Sequence, residues 1–136
     1  MKTKSKKKHS KWIDRAPVVS PYYICLCLTE KQFVKECKRL KMPKSLRPIF
    51  VENSKDGRSH FFNNTTTNRL ACIVCLKPDK DITIGGLVGL LTHEAVHVWQ
   101  EIKDAIGEHE PSPEFEAYAV QMINQELLEA YRELTT

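Results

Sequence analysis

One long amphipathic helix constrains this chain more than any other feature of it. From about Thr83 to Ala105, the residues Leu87, Leu91, Ala95, Val98, Ile102 and Ala105 recur at helical spacing and make a single apolar face. Asp81 or Thr83 can cap its start, and Gly107 stands where a C-terminal glycine belongs. After the loop EHEPS a second helix opens, with Ser112 as N-cap and Pro113 at the first helical position, and runs to about Leu134. Acids fill its first turn, where the helix dipole favours them.

The preceding half reads as strands around one further helix. Tyr22 to Leu28 is aromatic and aliphatic and predicts a buried strand after Pro21. Thr29 and Gln32 then fit a capping box, and Phe33, Cys37 and Leu40 form an apolar stripe that Pro43 ends. The outer face of that helix (Lys31, Lys35, Lys38, Arg39, Lys41) is basic; it reads as a solvated face before it reads as a nucleic-acid contact. Pro48 to Glu52 and Gly57 to Asn63 predict short strands, NNTTTN a polar turn, and KPDKD a loop. Arg69 to Leu76 is a continuous apolar run, short enough for a strand buried on both faces. The sum is an α+β domain with a mixed sheet, and 136 residues suit one such domain.

Charge divides the chain further. Residues 1–15 carry seven basic side chains against Asp14, so the remaining residues sum to slightly negative within the overall +4. This predicts a disordered basic tail over 1–15, suited to a polyanion or nucleic acid, followed by a folded domain over 16–136, with Trp12 and Ile13 the first residues to touch it. No apolar run is long enough to span a membrane. The stretch VVSPYYICLCL after the basic start fails as a leader, because Pro21 interrupts it and no small-residue cleavage site follows. Five cysteines in a domain of this size point to free thiols in a reducing cytoplasm.

The long helix carries the chemistry. Within LLTHEAVHVW, His93 and His97 lie four residues apart on one helical face, so both imidazoles can reach one cation. Zinc suits imidazole, and a site with three protein ligands keeps a position for water. Glu94 stands beside the first histidine, where a carboxylate can take a proton from water and pass it to a leaving amine. His109, Glu110, Glu114 and Glu116 are candidates for a third ligand. Glu116 shares a face with Val120, Ile123, Leu127, Ala130 and Leu134, and a carboxylate opening an apolar stripe needs a partner such as a metal. Glu114 falls on the more polar side with Tyr118 and Gln121, so Glu116 is the choice.

His93-Glu94-Ala95-Val96-His97, eighteen residues, then Glu116 resembles the HExxH-x18-E pattern of the gluzincin branch of zincin metallopeptidases. EFEAYAVQ is also similar to small zincin-like proteins of phages and prophages. The resemblance covers residues 84–134. It implies a zincin-like fold with an active-site helix, a second helix supplying the glutamate, and a sheet whose edge strand aligns an extended peptide. It implies Zn²⁺ at His93, His97 and Glu116 with Glu94 as general base, and a host cytoplasm if the chain is phage-encoded. Two departures stand out. Val120 replaces the Asp that many gluzincins place four residues after the third ligand, so support for the ligands falls to Asp104, Asn124 or another group. The further domain that forms the cleft in larger members is also missing. Tyr118, Tyr131, His109 and His60 are candidates to donate to a developing oxyanion.

These readings make the chain a zinc metallopeptidase acting on a peptide or protein. The alternative is a zincin-fold binding protein whose zinc is structural. Cys72-Ile73-Val74-Cys75 has zinc-site spacing, but strand alternation sends its thiols to opposite faces, so buried thiols are expected there and at Cys25 and Cys27. Gly85, Gly86 and Gly89 are expected to let the long helix pack closely on the sheet.

Overall fold

A computed structural model describes residues 9–13, 20–64 and 66–136. Four strands form one sheet: β1 (Lys11–Ile13), β2 (Tyr22–Cys27), β3 (Gly57–Asn64) and β4 (Arg69–Leu76), in the order β1-β2-β4-β3. β2 and β4 run parallel in the middle, while β1 and β3 pair antiparallel at the edges. The helices are α1 (Glu30–Arg39), α2 (Ile84–Ala105) and α3 (Pro113–Thr135). The architecture is therefore α+β with a mixed sheet, as the sequence predicts.

The apolar run of β4 follows from its place. Cys72, Val74 and Leu76 face a core shared with α2 and α3, while Ile73 and Cys75 face a second core under α1. A central strand covered on both faces has no solvent side and so no polar alternation. β2 behaves alike, sending Ile24 and Leu26 to the first core and Cys25 and Cys27 to the second. α2 contributes Leu91, Ala95, Val98, Trp99 and Ile102 to the first core, and α3 contributes Ala119, Ile123, Leu127 and Ala130.

Local chemistry sets the helix ends. The Thr83 hydroxyl accepts from the Gly86 amide at 3.0 Å, and Ser112 accepts from Phe115 at 3.3 Å. Thr29 accepts from the Gln32 amide at 3.1 Å, but the Gln32 side chain reaches back to the Leu28 amide instead of closing the expected box on Thr29. At the end of α2, Gly107 takes φ 76° and Glu108 N–H bonds the Lys103 carbonyl, a Schellman closure that favours glycine. α1 ends the same way with Lys41 at φ 58°, before Pro43 is reached.

Three expectations change. Pro48 to Glu52 is not a strand: Phe50 and Val51 tuck under α1, and the Phe50 carbonyl accepts from the His60 ring at 3.0 Å, not from a ladder. Lys11–Ile13, expected within the tail with Trp12 and Ile13 as its first residues to touch the domain, forms β1. Those two do touch it, Trp12 donating to Glu36 on α1 at 3.1 Å and Ile13 being buried, and Lys11 pairs with Glu133 on α3 at 2.9 Å. The rest of the expected tail, residues 1–8 and 14–15, lies outside the described residues. The glycines of α2 do not touch the sheet: Gly85, Gly86 and Gly89 are exposed, and a Cβ on Gly89 would meet nothing within 4 Å.

Candidate metal centre

Helical spacing puts His93 and His97 on the exposed side of α2, opposite the stripe that packs into the core. Their Nε2 atoms lie 3.2 Å apart, with ring planes at 76°. Two nitrogens each about 2.05 Å from a tetrahedral ion stand ~3.3 Å apart, so this pair has the bite that zinc requires. The Gln100 amide oxygen lies 3.1 Å from Nδ1 of His97. An amide oxygen can accept from Nδ1 when the ring proton sits there, which would leave the Nε2 lone pair for a cation.

Glu94 lies one step round the helix and is 3 % exposed. Its Oε2 accepts from the Ser59 hydroxyl at 2.5 Å, a buried charge-assisted bond to the edge strand β3. Gly57 on the same strand makes room for it: a Cβ there would stand 3.1 Å from Oε1 of Glu94 and 3.2 Å from Leu76 and Leu90. The close approach of α2 to the sheet thus falls at a strand glycine. The carboxylate beside the histidines is held at the sheet edge.

Glu116 is half-buried on α3, and its Oε2 accepts from the Trp99 indole N–H at 2.8 Å. Trp99 is 1 % exposed and packs edge-to-face on Phe115, so its N–H requires an acceptor there. The burial expected of Glu116 is present in part, and its partner in this structure is an indole. Among the described residues, no three His, Cys, Asp or Glu side chains converge on one point. The two histidines meet, and Glu116 is not brought to them. Glu114 is exposed.

The candidate oxyanion donors are dispersed. Tyr118 is 57 % exposed on α3. Tyr131 lies half-buried near the other end of that helix, against the first core. His109 sits exposed in the loop, 3.9 Å from Asp104. His60 is excluded from the role, because it points into the core under α1, stacked on Phe33 at 5.0 Å. Burial there pushes its pKa below 6.5, partly opposed by the bond to Phe50. Of the candidates to support the ligands, Asp104 faces His109, and Asn124 Oδ1 is buried without a partner. Gln100 is the group found at one of the two histidines. Sequence reasoning missed Gln100, Ser59 and Gly57, while Trp99, expected as core or cleft wall, is core. Only Gln100 carried a signal, its position one helical turn after His97.

All five cysteines are free and buried, with Cys72 in the first core and Cys75 in the second, as alternation predicts. Burial pushes both thiols up. A surface hollow lies elsewhere, between β1 and α3, lined by Trp12, Ile13, Glu126, Glu129 and Glu133 among others. No helix is long and apolar enough to cross a membrane among the described residues. Compared with protein-family models, curated proteins and solved structures, the chain gives no significant match.

Proposed function

We propose that this chain is a zinc-dependent peptidase of zincin-like fold, with His93 and His97 as ligands, Glu116 as third ligand and Glu94 as general base. The observation that carries the reading is the 3.2 Å separation of the two Nε2 atoms, with a buried carboxylate at the residue next to His93. When bound, zinc supplies the Lewis acidity that makes water nucleophilic at neutral pH. Glu94 takes the proton of the attacking water and returns it to the leaving amine nitrogen. Ser59 holds one oxygen of that carboxylate against β3, which limits its rotation while the proton moves. β3 is an edge strand, and an extended peptide can add to such an edge by backbone hydrogen bonds, close to Glu94. A basic tail for polyanions and a reducing compartment belong to the same reading.

A second reading has an observation in its favour: both histidines are exposed on the helix surface, away from the hollow beside β1. A zincin-fold binding protein with structural zinc would tolerate that exposure. Glu94→Gln separates the two. It keeps shape and a hydrogen bond but removes the basic oxygen. The zinc-loaded variant, assayed on denatured casein, is expected to lose about 10²–10⁴-fold in hydrolysis while keeping its metal. Hydrolysis at the level of the unchanged protein would refute the base. Absence of hydrolysis by the zinc-loaded unchanged chain would favour the binding protein.

A further inference from the structure

We propose that the outer face of α1, continued through the turn to Lys44, is a binding surface for the phosphate backbone of nucleic acid. This goes beyond the metal site and does not depend on it. Lys31, Lys35, Lys38, Arg39, Lys41 and Lys44 are all exposed on this one element and its turn. Of the two acids in the same stretch, Glu36 is 1 % exposed and spends its charge inward on Trp12 and Arg39, so Glu30 alone is left outside. The nine acids from Glu101 onward belong to α2, its loop and α3, which pack on the opposite face of the sheet. The molecule is therefore charge-segregated across the sheet, although its net charge is only +4.

The structure adds a juxtaposition that the sequence does not show. β1 joins the sheet beside β2 and is tied to α1 by Trp12, and His9 Nδ1 lies 2.8 Å from Lys35 Nζ. β1 is also tied to α3, through the Lys11–Glu133 pair at 2.9 Å.

Nucleic acid fits this surface better than a membrane does. A helix that lies in a bilayer inserts an apolar face, but α1 spends Phe33 and Cys37 on the core under the sheet. None of the exposed large apolar residues belongs to α1; Leu46 and Ile49 lie beyond Lys44. Charge alone gives marginal membrane attachment, whereas it suffices for sequence-independent binding along a phosphate backbone. Lys31, Lys35 and Lys38 form a stripe at helical spacing, with steps rising ~6 and ~4.5 Å, which lets successive cations follow one strand. The surface faces away from the histidines of α2, so both can be occupied at once.

The test is fluorescence anisotropy of a labelled, mixed-sequence DNA duplex of about 20 base pairs titrated with the full chain at several salt concentrations. Binding is expected to weaken steeply with salt. Replacing Lys31, Lys35 and Lys38 together by Glu is expected to weaken it at least ~10-fold and to flatten the salt slope by roughly two to three units, with an unchanged melting temperature. Replacing the same three by Arg keeps it, and removing residues 1–8 weakens it further. The proposal is overturned if the duplex is not bound, or if the Glu variant binds like the unchanged chain. It is also overturned if removal of residues 1–8 alone abolishes binding while the Glu variant retains it. Capture by phosphatidylserine vesicles without binding to the duplex would assign the face to a membrane instead.

Discussion

At the scale of single residues, the account turns on how β3 receives Glu94. A carboxylate that is almost fully buried must keep its hydrogen-bond donors, and Ser59 supplies a short one from a strand thirty-five residues away. Ser59→Ala leaves that oxygen without the donor. The expected cost is about 1–3 kcal/mol, or ~3–10 °C in Tm for a domain of this size, measured by thermal denaturation. An unchanged Tm would mean that Glu94 is satisfied otherwise and that the strand does not hold it. None of this was readable in the sequence. The His-Glu-Ala-Val-His spacing is local and shows itself, but Ser59 and Gly57 acquire their roles only through the pairing of β3 with β4.

At the scale of elements, the phase of α3 separates Glu116 from Glu114. Glu116 is half-buried and bonded to Trp99, whereas Glu114 points to solvent. A carboxylate has two oxygens, and the indole engages one of them. Glu116→Ala is expected to lower zinc affinity by orders of magnitude, and Glu114→Ala to change it little, in competition with a chromophoric chelator. Equal effects would show that Glu116 serves Trp99 alone. Elements with strong local signals were legible almost to the residue. β4 spans the apolar run from Arg69 to Leu76, and α2 and α3 begin after the hydroxyl caps Thr83 and Ser112. β1 was not legible, because three residues among lysines show neither alternation nor an apolar run. Pro48 to Glu52 looked like a strand because Ile49, Phe50 and Val51 are apolar and β-prone. Two of them are buried by α1 without any ladder, and Ile49 is exposed.

At the scale of the whole molecule, the sheet separates two surfaces. α1 presents cations on one side, and α2 presents the histidine pair on the other, with β3 as an edge beside Glu94. Charge counting along the chain anticipated an uneven distribution, but not that β1 would bridge α1, through Trp12, and α3, through Lys11. The central claim, that the histidine pair holds one zinc ion, is tested most directly by elemental analysis. The full chain is purified without chelator, repleted with zinc and desalted, alongside a variant carrying His93→Ala and His97→Ala. The account predicts about one zinc per unchanged chain and none in the variant. Absence of zinc from the unchanged chain, or zinc retained when both histidines are gone, would contradict it.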